Sequence, residues 1–306
     1  MTTLNRRSFL AASLAAAPGM AALARDTQAQ PAAASAKNGP CVCVFSKHLQ
    51  FLDYKELAAT CKALGLDGVD LTVRDGGHVR PERVAEDLPR AVEALRAQGL
   101  EVPMITTRLN SGDDPDAWPI LETASKLGIR YFRVGGHKYD EQGGIREQID
   151  RFAGEMRGLI ELAAECDMTA GYHNHSGMRR VGAPLWDLYH MIQAVDSKHF
   201  GSNFDVGHAT VEGAYGGWEI NTRLMAPHVK MMAVKDFVWR DDRPQWVRLG
   251  NGIVETADML GIIFAAGFQG PISIHIEYPT LGDDRMIREV GKSVEILRAC
   301  IEQATA

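Results

Sequence analysis

Beyond residue 40, two hydrophobic rhythms alternate along the chain. Short runs rich in β-branched and apolar residues give way to polar loops and then to stretches with helical spacing, in a cycle of roughly thirty residues. The junctions Leu64-Gly65-Leu66-Asp67-Gly68-Val69-Asp70, Gln98-Gly99-Leu100-Glu101-Val102-Pro103 and Leu127-Gly128-Ile129-Arg130-Tyr131-Phe132 repeat one grammar. In each, a glycine C-cap ends a helix and releases the chain into a strand. The pattern predicts eight strands, near Val42–Phe45, Gly68–Leu71, Val102–Thr106, Tyr131–Val134, Thr169–Tyr172, Ser202–Phe204, Val229–Val234 and Ile272–Ile276, and a last helix from Met286 to Gln303.

Strands that alternate with helices imply a parallel sheet, and eight is the number that closes a (β/α)8 barrel. The fold class is therefore α/β, a single TIM barrel over residues 41–306. An open doubly wound sheet would carry a glycine-rich fingerprint after its first strand, but the chain there reads Phe45-Ser46-Lys47-His48.

The N-terminus follows neither rhythm. Asn5-Arg6-Arg7-Ser8-Phe9-Leu10 precedes an uncharged, Ala- and Leu-rich stretch from Ala11 to Ala24, which predicts a twin-arginine signal peptide over residues 1–30. The stretch is shorter than the ~20 residues a membrane span needs. Ala22-Leu23-Ala24 or Ala29 would mark cleavage, residues 31–40 form a linker, and the barrel is expected in the periplasm or otherwise exported. That route carries folded proteins, so a cofactor can be acquired before export.

A net charge of −6, 7% aromatic residues and the lack of a basic block disfavour nucleic acid and anionic membranes, and leave a small neutral or cationic partner. A homo-oligomer remains open. The five cysteines have no framework spacing, and Cys41 and Cys43 read as buried thiols on a strand.

The chemistry collects where barrel active sites form, at the C-terminal ends of strands. His48, His78, His137, His173, His175 and His208, six of the ten histidines, follow predicted strands. Residues i and i+2 of a strand share a face, so His173 pairs with His175 and His275 with Glu277. The group His173, His175, Asp205, His208 and Glu277 brings imidazoles and carboxylates that suit one divalent ion, Zn, Mn, Co or Mg, unless each histidine is simply hydrogen-bonded. Lys235 ends an apolar strand and is either a substrate-binding or basic lysine or the partner of Asp236 or Glu277. Arg108 and Arg133 either orient substrate or close salt bridges at the rim. Trp239 and Trp246, in a polar insertion from Phe237 to Gly252, either stack on a sugar ring or peg the loop. Gly250-Asn251-Gly252 is a weak phosphate loop.

Tyr172-His173-Asn174-His175, Asp205-Val206-Gly207-His208, Val234-Lys235-Asp236, Leu249-Gly250-Asn251-Gly252 and Ile274-His275-Ile276-Glu277-Tyr278, in this order, resemble the sugar phosphate isomerase/epimerase family of xylose-isomerase-like barrels. That family includes ketose 3-epimerases and inosose dehydratases, and the resemblance runs from about Val42 to Leu297. It implies one divalent metal bound by Glu, Asp, His and Glu from the fifth to eighth strands. Asp205 and Glu277 match, and His208 fits a substrate-binding histidine. His173 replaces the first Glu, as in the histidine-rich strand of inosose dehydratases, and Ala233 stands where the metal-binding His is expected.

The implied site has His173, Asp205 and Glu277 at the metal, Glu277, Lys235 and His208 in catalysis, and His48, His78, Arg133, His137, His175 and Trp239 at the substrate. The implied activity is a metal-dependent isomerase or epimerase removing a proton next to the carbonyl of a keto-sugar, keto-glycoside or polyol. The epimerases use two glutamates and only Glu277 matches, so elimination of water or a glycosidic oxygen is a rival. A non-catalytic exported carbohydrate-binding barrel is a second rival.

Overall fold

The computed structural model describes residues 39–280 and 282–306. The signal peptide and most of the linker expected from the sequence lie outside the described residues. Ten strands and nine α-helices are described: β1 (Val42–Phe45), α1 (Tyr54–Ala63), β2 (Gly68–Thr72), α2 (Val84–Ala97), β3 (Glu101–Thr106), α3 (Ala117–Lys126), β4 (Tyr131–Arg133), α4 (Ile145–Glu165), β5 (Thr169–His173), α5 (Trp186–Val195), β6 (Phe200–Asp205), α6 (Val206–Glu212), α7 (Gly217–Met225), β7 (Val229–Val234), β8 (Asp236–Arg240), β9 (Arg243–Val247), α8 (Thr256–Ala265), β10 (Ile272–Ile274) and α9 (Asp283–Thr305). Eight strands close a parallel barrel in the order β1-β10-β7-β6-β5-β4-β3-β2.

The three glycine junctions behave as the sequence predicts: Gly65, Gly99 and Gly128 have φ of 75°, 71° and 78°, the left-handed geometry that ends a helix without a Cβ penalty. Outward-facing strand residues such as Val69, Leu71, Phe132 and Phe204 are buried against the helices. Among the described residues, no helix is long and apolar enough to cross a membrane.

Inside the barrel the alternation builds layers. Cys43, Met104 and Met231, with Tyr131 packed on them, make the apolar floor. One step up, the fully buried Asp70 accepts hydrogen bonds from Thr106 Oγ1 at 2.7 Å and Ser273 Oγ at 2.9 Å. The next step carries His173, Asp205, Lys235 and His275.

Two boundaries differ from the expected ones. The last barrel strand stops at Ile274 rather than Ile276, because the Ile276 N–H donates to His48 Nε2 at 2.9 Å instead of to a neighbouring strand. The insertion expected as a polar loop contains the antiparallel pair β8 and β9. Asp236 fastens that ribbon, since its carboxylate accepts from the N–H groups of Phe237 (2.8 Å), Gly250 (3.0 Å), Gly252 (2.8 Å) and Val254 (3.0 Å). Gly252 is required here, because a Cβ would strike the Asp236 carboxylate and the Phe237 carbonyl.

Asp236→Ala strands four backbone donors around a buried carboxylate site. Unfolding stability is expected to fall by about 3 kcal/mol in denaturant titration, with Asp236→Asn, which keeps one acceptor oxygen, in between.

Candidate active site

A cavity of about 550 Å³ opens at the C-terminal ends of the barrel strands. Of the residues expected to act, His173, His175, His208, Lys235, Glu277 and Arg133 line it. Asp205 lies directly beneath, fully buried at the end of β6. Another cavity, about 630 Å³ against α1 and α2, is lined by residues such as Tyr54, Arg90 and Glu93 and lies away from the strand ends.

Lys235 is the centre of the arrangement. Its ammonium, 3% exposed, stands 3.1 Å from Asp205 Oδ2 and 2.7 Å from His208 Nε2, and 4.4 Å from the Trp246 ring. An ammonium only donates, so His208 Nε2 accepts; Nδ1 therefore carries the proton toward Ser176 Oγ at 2.8 Å. Burial pulls the Lys235 pKa below its ordinary value, against the opposing pull of Asp205. Burial pushes the Asp205 carboxyl up, but Lys235 and the His208 N–H outweigh it and hold the pKa at about 2. Gly207 belongs to the same device: a Cβ there would meet Lys235 Cγ at 2.7 Å and the Trp246 ring at 3.1 Å.

Asn174 joins the two histidine-bearing strand ends, accepting from the Asp205 N–H at 2.8 Å and donating to the Asp205 carbonyl at 3.1 Å. His175 donates from Nδ1 to the His173 carbonyl at 3.3 Å and presents Nε2 to Arg133 at 3.5 Å. Glu277 sits at the rim, its side chain 29% exposed, with Lys47 Nζ at 3.9 Å.

Four residues expected at the substrate stand elsewhere. His48 is buried and holds the Ile276 N–H, which fixes the backbone between His275 and Glu277. His78 is tied to Thr72 and Ser46, its N–H donating to Thr72 Oγ1 at 2.8 Å. His137 stacks on Tyr172 with its Nε2 3.3 Å from Glu155, on the helix side of the barrel wall. Trp239 is 45% exposed and packs edge-on against Phe237. Trp246, from the facing strand, lines the cavity and meets the His208 ring edge-on at 5.0 Å. The insertion brings Trp246 and not Trp239 to the cavity, and ribbon pairing decides which tryptophan turns inward.

The donor set for a cation differs from the expected one. His173, Asp205 and His275 each offer a ligand atom, all within 4.8 Å of one another; His173, His175 and His208 form a second such group. Glu277 belongs to neither. His173 Nδ1 and His275 Nε2 are buried without hydrogen-bond partners, and burial drives both imidazoles well below their ordinary pKa, leaving them in the neutral form that ligates metal. Ala233, paired with Asp205 on one side and Ser273 on the other, offers no donor between them. His173, Asp205 and His275 are the residues that could hold a divalent cation, with Asp205 Oδ2 then shared between the cation and the Lys235 ammonium.

The comparisons agree with this architecture. The family model described as xylose isomerase-like TIM barrel matches residues 58–300. The chain belongs to that family. An uncharacterized protein of Methanocaldococcus jannaschii is 24% identical over 159 residues, 52% of this chain, and the chain spans 51% of that relative's length. IolI, solved with a bound zinc atom, superposes with a TM-score of 0.70 at 15% identity, covering 85% of this chain and 98% of IolI. The 3-keto-D-glucoside 4-epimerase YcjR from E. coli superposes with a TM-score of 0.64 at 14% identity, covering 81% and 95%. At these identities the likeness is one of fold.

For this member of the family, sequence reasoning missed His275 as a donor, Trp246 as the inward aromatic, and Arg74 and Arg180 in the cavity lining. The i, i+2 relation of His275 to Glu277 was the available signal; for the arginines, which lie on loops, there was none.

Buried neutral imidazoles make the fold acid-sensitive. Burial lowers His48 and His175 from 6.5 to about 3. Between those values the unfolded chain takes up protons that the native state refuses, so stability is full above about pH 6.5 and falls as pH drops, by ~1.4 kcal/mol per pH unit per group. Asp70, raised by burial to about 6, opposes this with one proton of its own. The melting temperature is expected to fall from pH 7 to pH 5, and less steeply in His48→Gln.

Proposed function

We propose that this barrel is an enzyme that removes a proton from the carbon next to the carbonyl of a keto-sugar or keto-glycoside. The observation that carries the reading is a single rim carboxylate, Glu277, facing a cavity whose floor holds a buried ammonium, Lys235, and neutral imidazoles. Glu277 takes the proton, the C–H electron pair becomes the carbon–carbon double bond of an enolate, and negative charge moves to the former carbonyl oxygen. Lys235, itself 3% exposed, supplies fixed positive charge where that oxyanion develops. His208 and Asp205 hold the ammonium in place, and Trp246 covers it.

A divalent cation on His173, Asp205 and His275 belongs to the same reading, supported by their three ligand atoms lying within 4.8 Å of one another and by the zinc bound in IolI. When bound, such an ion supplies a Lewis acid for the carbonyl.

Return of the proton to the opposite face gives an epimer, as the name of the YcjR neighbour suggests. One observation favours elimination as a second reading: among the described residues lining the cavity, Glu277 is the only carboxylate. With one base, the enolate can expel the oxygen on the next carbon, which takes a proton from Lys235 and leaves an unsaturated ketone. Export through the twin-arginine route is likewise our proposal, resting on Arg6-Arg7 and the apolar stretch after them.

The test is NMR in deuterium oxide with methyl 3-keto-glucoside. Deuterium is expected at the carbon beside the ketone, with an epimer or released methanol distinguishing the two outcomes. Glu277→Gln is expected to lose 10²–10⁴-fold in rate. Stripping divalent ions should cost at least tenfold, restored by Mn, Co or Zn. Full exchange by Glu277→Gln would overturn Glu277 as the base, and full exchange after stripping would overturn the metal.

A further inference from the structure

The charge of the cavity runs against the charge of the chain. The protein carries a net −6, yet the cavity lining includes Lys47, Arg74, Arg108, Arg133, Arg180 and Lys235 against one carboxylate, Glu277. Lys47 faces Glu277 at 3.9 Å and Lys235 is matched by Asp205. Among the described residues, none of the four arginines has a carboxylate within ion-pair distance. Rim salt bridges, the ordinary reason for arginines at a barrel mouth, are therefore not what holds these side chains.

The arginines are placed together at a cost. Burial lowers the pKa of Arg74 and of Arg133; Arg108 adds to the effect on Arg74 and Arg74 to that on Arg133, while the buried Asp70 pulls both back up. The Arg74 and Arg133 guanidinium carbons lie 5.2 Å and 5.8 Å from the same Phe45 ring, which stacks on His275 at 4.7 Å. A guanidinium held by an aromatic face keeps its N–H edge free for a planar or tetrahedral oxyanion.

The two chemistries also divide the mouth. Arg74, Arg108, Arg133 and Arg180 follow or end β2, β3, β4 and β5, whereas His208, Lys235 and Glu277 follow β6, β7 and β10. Resting on the keto-sugar reading above, the geometry points to an anionic substrate. It would be a sugar acid or sugar phosphate whose carboxylate or phosphate sits among the arginines while its carbonyl faces Lys235 and Glu277. The charge of the whole chain favours a neutral or cationic partner, but the lining of this cavity has the opposite balance.

Glucose, glucuronate and glucose 6-phosphate differ only at C6, so titration calorimetry of the whole protein with these three probes isolates the charged group. At least one anion is expected to bind ten times more tightly than glucose, and the better of the two identifies the group as carboxylate or phosphate. That advantage should shrink between 20 and 300 mM salt, whereas glucose binding does not respond. Arg74→Gln and Arg108→Gln should each lower the charged-to-neutral ratio about tenfold, and Arg108→Lys should retain part of it. Matched melting temperatures would show that the variants fold. Equal affinity for charged and neutral probes, or no anion binding at millimolar concentration, overturns the proposal. Anion binding without proton exchange on charged or neutral keto-sugars would overturn the enzyme reading and leave this one standing. Equal exchange on both classes, without an anion preference, would do the reverse.

Discussion

An ammonium can be buried at the mouth of this barrel only because Lys235 stands between Asp205 and His208. Removing a cation from water is unfavourable unless a partner and further hydrogen bonds replace the solvent. Asp205 provides the charge, and His208 Nε2 provides an acceptor at 2.7 Å. Much of the local structure follows from that need. The His208 N–H caps its helix on Asp205 Oδ1, Gly207 leaves room for the lysine stem, Trp246 shields the ammonium, and the Asp236 carboxylate holds the ribbon that carries Trp246.

The fold was legible because two periodicities and repeated glycine junctions leave little choice of topology. The strand-end positions were legible too, since a closed parallel barrel gathers those ends on one face. Which way each histidine turns was not. His78 and His137 follow strands as His173 does, but Thr72 and Ser46 capture one, and Tyr172 with Glu155 the other. Thr72 is only six residues from His78, but Ser46, Glu155 and Tyr172 are brought up by the fold and are invisible to spacing. Asp70 was hidden for a different reason: it lies mid-strand between Val69 and Leu71, and only the closing of the barrel brings Thr106 and Ser273 to its carboxylate.

Net charge describes the whole surface and not the cavity. A net of −6 averages over outer surfaces where acids and bases pair locally, as Arg83 does with Glu86 and Asp87 on α2. The concave end is a small fraction of the surface with the opposite balance. Field lines concentrate in such a cleft, so the local set of arginines governs what approaches it more than the total does.

Ala233 on β7 and His275, just after β10, are best understood together. Ala233 removes a donor between Asp205 and Ser273, and His275 places an imidazole within reach of His173 and Asp205. A cation held by those three residues makes no demand on Glu277. The carboxylate then remains at the rim, 29% exposed and pinned from behind by the His48 bond to Ile276, where a base must be to reach a substrate carbon. On this proposal, a cation held through His275 leaves the glutamate to proton transfer, so a one-base enolising site follows from where these side chains stand and needs no second glutamate.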